Sequence, residues 1–347
     1  MDEQQTTENH RCVCLDPSGN VTLAFPDKKG STSIQFVVSS PVLALASSYF
    51  RVLFESNFKE GLETKAGTFP RIELEEDDSE AMEAILSLLH FRNGTEYTTM
   101  KPEKLAAIAL HCNKYQCTNA LRPWLHLWLD SEKVPKAYDI GFLLSAAFFF
   151  EDAKHFRRIS ALAIRHVDIV TASLWQEQDV TALMATELHS MIIQSVRLLL
   201  DRLQGIMHSG EEMLEGSLRG YEMAGRVCDQ CGRKHPETAK KCHPCGTSEI
   251  HKVYCTSQSR VAEYFILLRQ NNLWPSVTRF RDSAAATLAA QFGTAASACR
   301  HQCSAGSECP LRTMLDRVSR EMNRVLDNIQ GVELKPDLVP TYLASEV

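Results

Sequence analysis

Apolar side chains occupy alternating positions over residues 21–25 and again over residues 34–38. A period of two is typical of a β-strand that buries one face. The polar run at 26–30 lies between them, so the simplest prediction is a hairpin. Ile72 and Leu74 mark a third short strand.

From Pro41 onward the apolar period changes to three and four, which predicts helices. Ser39 or Ser40 can cap the first of them, and Pro41 suits its first turn. Carboxylates at Asp77 and Asp78 favour the positive end of a later helix. The apolar stripes of the later helices are Met82/Ile85/Leu86/Leu89, Leu105/Ile108/Ala109/Cys112/Tyr115 and Leu121/Trp124/Leu125/Trp128/Leu129. Strands followed by helices predict an α+β unit.

Helical periodicity continues through most of the remaining chain. The pattern over residues 131–223 predicts only helices. Apolar positions between Leu188 and Ile206 line one face of a long predicted helix. Residues 257–332 predict further helices. The polar stretch 1–16 predicts a disordered N-terminus, and residues 333–347 predict a loose tail.

The order of residues in the first third of the chain resembles the BTB/POZ family. The resemblance is carried by FVVSSPVLALASSYF at 36–50, Leu53-Phe54, FKEG at 58–61 and LAAIALHCNKYQC at 105–117. It covers residues 17–130, and its style is closest to BTB-containing proteins of filamentous fungi. It implies a three-stranded sheet with a helical cluster.

This resemblance implies protein binding and not catalysis. Many BTB domains form homodimers, and some connect a substrate receptor to a cullin-type ubiquitin ligase scaffold. Phe58 and Glu60 match the hydrophobic-x-Glu motif of cullin-binding members, so they are the candidate partner-binding residues. The alternative is that Phe58 has an ordinary packing role.

Three positions depart from the pattern that family homodimers use. The acidic residue of the dimer pocket corresponds to Asn20, the family's His to Ser39, and the following basic residue to Ser40. Uncharged replacements are compatible with folding. The replacements remove the charges that family homodimers use, so the sequence leaves homodimer formation open.

Composition narrows the possible functions. The chain has 347 residues, 44% of them hydrophobic, and a net charge of −6. It lacks the basic footprint of a nucleic-acid-binding protein and an apolar run of about 18 residues that would suit a membrane helix. Its N-terminus lacks the layout of a signal peptide, which predicts an intracellular protein of the nucleus or cytoplasm. In such compartments the 12 cysteines are more often metal ligands than disulfides.

Two Cys-x-x-Cys-Gly motifs give the most specific chemical prediction. Cys228, Cys231, Cys242 and Cys245 are each placed in a motif that can form a tight turn with two thiolates on one side. Four sulfurs form the tetrahedral set that zinc prefers, and a closed set predicts a structural site. The stretch also resembles small zinc ribbons. A redox pair is the alternative, but its usual βαβ setting is missing.

A second group of possible metal ligands lies at Cys255, Cys299, His301, Cys303 and Cys309. A site would form if Cys255 joined Cys299, Cys303 or His301, and Cys309. Because the spacing is irregular, scattered reduced cysteines are an equal alternative.

The sequence therefore predicts a BTB/POZ-like domain at 17–130, a helical extension at 131–223, a zinc-ribbon-like segment at 224–256 and C-terminal helices at 257–332. The predicted function is a protein-interaction adaptor, with a cullin-type scaffold as a candidate partner. The alternative is a transcriptional or chromatin regulator whose zinc segment contacts nucleic acid or protein. No glycine-rich phosphate loop or hydrolase motif indicates an enzyme.

Overall fold

A computed structural model describes residues 9–26, 32–92, 94–130, 134–177, 181–275, 279–335 and 338. The chain divides into two compact units. The first comprises residues 1–163, 173–191 and 331–347, and the second comprises residues 164–172 and 192–330. The first unit therefore extends beyond the predicted boundary at residue 130.

A four-stranded sheet forms one layer of the first unit. Its strands are β1 (Asn9–Cys14), β2 (Val21–Phe25), β3 (Thr32–Val38) and β4 (Arg71–Glu73), in the order β1-β3-β2-β4. Strand β2 is antiparallel to β3 and parallel to β4. The period-two pattern buries Leu23 and Phe36, which are partners in the register and fully inaccessible to solvent.

The prediction that residues 1–16 are disordered is wrong for residues 9–14, which form β1. Residues 9–14 pair in parallel with β3, with Val13 opposite Phe36. The Arg11 guanidinium also lies 2.8 Å from a Glu83 carboxylate oxygen. Strand pairing uses backbone groups, so the polar side chains that suggested disorder do not prevent it. Residues 1–8 lie outside the described residues.

Helices cover the sheet and extend the first unit. The helices that begin in this part of the chain are α1 (Ser40–Ala46), α2 (Ser48–Glu55), α3 (Lys59–Ala66), α4 (Ser79–Leu89), α5 (Pro102–Lys114), α6 (Thr118–Leu121), α7 (Leu125–Leu129), α8 (Ala137–Phe149) and α9 (Ala153–His166). Asp78 caps α4 by accepting a hydrogen bond from the Ala81 N–H at 2.8 Å. Ser39 precedes α1, but its side chain forms no cap.

A buried polar cluster lies among these helices. The Asp77 carboxylate is 3% exposed and accepts hydrogen bonds from Lys114 Nζ at 2.7 Å and Tyr115 Oη at 2.5 Å. Burial alone would raise the pKa of Asp77, but interactions with His111, Lys114 and Tyr115 lower it to about 2. The carboxylate is thus held ionised in the core.

The second unit combines a small sheet with long helices. Helices α10 (Ile169–Leu174) and α11 (Thr186–Glu215) precede strands β5 (Tyr221–Cys228), β6 (Lys234–His235) and β7 (Ile250–Cys255). The sheet order is β6-β5-β7, and both pairings are antiparallel. Helices α12 (Ser257–Gln270), α13 (Ala285–Ser297) and α14 (Pro310–Asp327) follow. Strands β5 to β7 span residues 221–255, which overlap the zinc-ribbon-like segment predicted at 224–256.

Among the helices of the described segments, none is both long enough and apolar enough to cross a membrane. The predicted loose tail, 333–347, is described only at 333–335 and 338. Just before it, the Val332 N–H donates a hydrogen bond to Ser160 Oγ at 2.8 Å.

Candidate metal centres and partner surface

The two Cys-x-x-Cys-Gly motifs form matching turns at one end of the small sheet. Gly232 and Gly246 adopt φ values of +66° and +68°, which glycine reaches without steric cost. Each donates its N–H to the carbonyl of the first cysteine of its own motif, Cys228 or Cys242, at 2.8 Å. The repeated geometry explains why the motif requires glycine at this position.

These turns bring four sulfurs together. The Sγ atoms of Cys228, Cys231, Cys242 and Cys245 all lie within 4.8 Å of one another. Sulfurs placed tetrahedrally about zinc at about 2.3 Å are separated by about 3.8 Å, and Cys231 and Cys242 are 3.6 Å apart. The cluster could hold a metal ion. We call it the ribbon cluster.

Backbone and sulfur contacts shift the pKa values of the thiols in the ribbon cluster in opposite directions. Hydrogen bonding from the Arg233 N–H, helped by the neighbouring thiols, lowers the pKa of Cys231 to about 7. Hydrogen bonding to Cys231 raises the pKa of Cys245 to about 12. Cys231 therefore takes the thiolate form more easily than Cys245, and a bound metal ion would favour the thiolate form of both.

A second cluster is formed by Cys255, His301, Cys303 and Cys309, whose ligand atoms also lie within 4.8 Å of one another. We call it the inner cluster, because its residues are between 0% and 9% exposed. Cys255 ends β7, and Cys309 immediately precedes α14. The Ser304 N–H donates to the Glu222 carbonyl at 2.6 Å, which places the loop containing Cys303 beside β5.

Cys299 does not belong to the inner cluster. It lies between α13 and the loop and is half-buried, whereas the neighbouring His301 and Cys303 reach the ligand set. Of the alternatives that the sequence left open, the geometry favours the set with both His301 and Cys303 and without Cys299. Cys12 and Cys14 lie on β1 and form no cluster of three or more metal-ligand residues within the described segments.

His301 is oriented by a carboxylate. Its Nδ1 lies 2.6 Å from Glu263 Oε2, and this contact raises the pKa of His301 and lowers that of Glu263. The other ring nitrogen, Nε2, is buried, and no group in the described part of the chain meets it with hydrogen-bond geometry. An imidazole held by a carboxylate on one nitrogen is the usual arrangement of a metal-binding histidine.

A buried arginine adjoins the inner cluster. The Arg260 side chain is 0% exposed, and its Nη1 donates to the Cys255 carbonyl at 3.1 Å and lies 3.6 Å from Cys255 Sγ. It also donates to the carbonyls of Ser217 and Arg219. The sequence motifs gave no indication of either Glu263 or Arg260, because neither has a diagnostic spacing from the cysteines.

The predicted partner-binding residues lie at the start of α3. Phe58 is 39% exposed and precedes the helix, and Leu62, one turn later, is 53% exposed. Glu60 lies in the first turn and is half-buried. Phe58 is the N-cap residue of α3, and its carbonyl accepts a hydrogen bond from the Leu62 N–H at 2.9 Å, so the two residues lie one helical turn apart. We call Phe58, Glu60 and Leu62 the α3 surface.

Asn20 and Ser40 contact each other directly. Asn20 Nδ2 donates to Ser40 Oγ at 2.9 Å, and the Ser40 N–H donates to Asn20 Oδ1 at 2.9 Å. The family resemblance implies a charged pair at these two positions. This chain instead has a neutral pair whose members form hydrogen bonds with each other. No charge is left there to stabilise contact with a second subunit.

Comparison with known families agrees with this fold. Residues 20–123 match the BTB/POZ domain family. The chain therefore carries a BTB/POZ domain, the class of domain that mediates protein–protein interactions. No curated protein matches the chain.

Proposed function

We propose that this chain is an adaptor whose BTB domain binds a cullin-type scaffold through the α3 surface. The observation that carries the proposal is the exposure of Phe58 and Leu62 beside Glu60 on a domain of the interaction class. Neighbouring exposed apolar side chains with polar residues around them are typical of a protein-interaction site.

The chemistry of the α3 surface suits a protein partner. Aromatic and aliphatic anchors supply most of the binding energy at the centre of an interface. A carboxylate beside them favours a partner with a complementary positive group. Phe58 and Glu60 also occupy the positions of the hydrophobic-x-Glu motif.

Affinity capture followed by mass spectrometry tests this proposal. We expect the wild-type chain to capture a cullin and the Phe58→Ala/Glu60→Ala variant to bind it about 30-fold more weakly, which corresponds to losing about 2 kcal/mol. Leu218→Ala is the control, because Leu218 is 88% exposed and lies outside the BTB domain. Full cullin capture by the double variant would reject the assignment of this surface.

We further propose that the ribbon cluster holds a structural zinc ion. A segment with few buried apolar residues gains its stability from the metal, and a set of four thiolates leaves no open position for catalysis. Elemental analysis of the purified chain should show that Cys242→Ser loses one zinc, whereas His243→Ala, an exposed neighbour, retains it. Unchanged zinc in Cys242→Ser would contradict the proposal.

A regulator that contacts nucleic acid is the second candidate. It is favoured by exposed basic side chains on the ribbon at Arg233, Lys234, Lys240 and Lys241. Binding to duplex DNA that weakens steeply between about 50 and 200 mM salt would support it, and the absence of DNA binding at the lower salt would exclude it. We assign no catalytic reaction to the chain.

A further inference from the structure

The inner cluster has the features of a second metal site, independent of the ribbon cluster and of any BTB partner. Its four ligand atoms come from strand β7, the loop at 301–303 and the residue before α14, yet they lie within 4.8 Å of one another. We propose that Cys255, His301, Cys303 and Cys309 bind one zinc ion as a closed structural site, with Glu263 as a positioning residue and Arg260 balancing the charge.

The state of His301 supports metal binding. The imidazole is 1% exposed, and its Nε2 makes no hydrogen bond of normal geometry in the described segments, although the Cys303 thiol interacts with the ring. A buried ring nitrogen with only a weak thiol partner is poorly satisfied, and coordination of a metal would satisfy it fully. Glu263 holds Nδ1 at 2.6 Å, which directs Nε2 toward the sulfurs and makes it a better ligand.

The positive charge of Arg260 favours a cluster that holds a metal ion over a cluster of three neutral thiols. A buried guanidinium is stabilised by hydrogen bonds and by a negative partner. Arg260 donates to three backbone carbonyls, and within the described residues no carboxylate lies within 4.0 Å of it. Zinc with three thiolates and a neutral imidazole carries one net negative charge. Cys255 Sγ, at 3.6 Å from Arg260 Nη1, would place that charge directly beside the guanidinium. Neutral thiols would leave the guanidinium with carbonyl partners but no anionic partner.

The choice of metal follows from the ligands. Three sulfurs and one imidazole nitrogen select zinc over the hard cations magnesium and calcium, which prefer oxygen. All four positions are supplied by the protein, so the ion would have a structural role. It would fasten the end of β7 to the start of α14 within the second unit.

Zinc counting on the full chain tests the inference. We expect two zinc ions per chain in the wild type and one in Cys309→Ser. Cys299→Ser is the matched control, because Cys299 lies in the same segment but outside the ligand set, and it should retain two. A wild-type chain with one zinc, lost in Cys242→Ser, would overturn the second site while leaving the ribbon site intact.

Two milder changes keep the test valid if Cys309→Ser fails to fold. His301→Cys should retain both ions, and its cobalt-substituted form should show stronger thiolate-to-metal charge-transfer absorption than the wild type, because a nitrogen ligand becomes sulfur. Glu263→Gln should retain both ions but release one to a chelator about 10- to 100-fold more readily. Cobalt absorption unchanged by His301→Cys, or zinc release unchanged by Glu263→Gln, would contradict the proposed ligation.

Discussion

The two sheets of this chain are stabilised in opposite ways. The BTB sheet buries a continuous set of apolar side chains, including Leu23, Phe36 and Val38. In the ribbon sheet, β5 has one buried residue, Cys228, and β7 has two, Ile250 and Cys255. The small apolar cluster of the ribbon consists of Cys228, Cys242 and Ile250, with Ala239 packed against it.

The difference shows what a short sheet needs in order to fold. Two- and three-stranded sheets without a hydrophobic face are marginal in water. In the BTB domain a layer of helices supplies that face. In the ribbon, Cys228 and Cys242 occupy interior positions that larger apolar residues would otherwise fill, and Cys231 and Cys245 are exposed. Removing the proposed zinc ion should therefore affect the two sheets very differently.

Chelation should give the largest effect. Structural zinc contributes about 10–16 kcal/mol of apparent binding free energy in small zinc domains, so a strong chelator should unfold the ribbon and leave the BTB sheet folded. Hydrogen exchange measured by mass spectrometry should show lost protection in β5 and β7 and unchanged protection in β2 and β3. Equal loss of protection in both sheets would contradict this division.

Truncating a core side chain of the BTB sheet should destabilise that sheet and leave the ribbon unaffected. Phe36 is 0% exposed and packs edge-to-face on Phe25, with ring centroids 5.5 Å apart. We expect Phe36→Ala to destabilise the BTB domain by about 3–5 kcal/mol without changing the zinc content. The half-buried neighbour Val37 points to the other face, so Val37→Ala should cost less in the same denaturation measurement. Equal costs for the two variants would argue against the strand register.

Asp77 adds a smaller, pH-dependent contribution to the first unit. Its pKa of about 2 in the folded state is below the value near 3.9 of an unfolded chain. Its contribution, about 2–3 kcal/mol, is therefore present above about pH 4 and is lost as the pH falls through about 2.

Denaturation of wild type and Asp77→Asn should accordingly differ by about 2–3 kcal/mol at neutral pH, and the difference should shrink toward pH 2. A difference independent of pH would show that Asp77 stabilises the core by packing and not by charge.

A surface ion pair on the ribbon should give the smallest effect. Lys252 Nζ lies 3.0 Å from a Glu222 carboxylate oxygen across β5 and β7, and both side chains are about half exposed. Lys252→Ala should change ribbon stability by less than about 1 kcal/mol, as judged by zinc release to a chelator. A large increase in release would mean that side-chain pairing, and not the metal site, holds this sheet together.

The features that sequence predicted well depend on local patterns. Alternation at 21–25 and 34–38 predicted β2 and β3, and the Cys-x-x-Cys-Gly spacing predicted both turns of the ribbon cluster, because each involves only a few consecutive residues. The inner cluster was harder to predict. Its ligands come from distant segments, so only tertiary packing distinguishes Cys303 from Cys299 and brings Glu263 to His301.

Strand β1 was missed for a different reason. Its first three residues are polar and its sequence carries no clear alternation, and its strand character comes from backbone pairing with β3. The polar pair formed by Asn20 and Ser40 likewise required coordinates, because a sequence shows which charges are missing and not which hydrogen bonds replace them.

The position of β1 has a practical consequence for dissecting this molecule. A fragment cut at the family boundary, residue 20, would remove β1 and leave β3 as the outermost strand. The unsatisfied N–H and C=O groups of β3, beside Phe36, Val37 and Val38, would then be open to strand addition by other copies. Retaining residues 9–19 should keep an isolated BTB domain dispersed in solution.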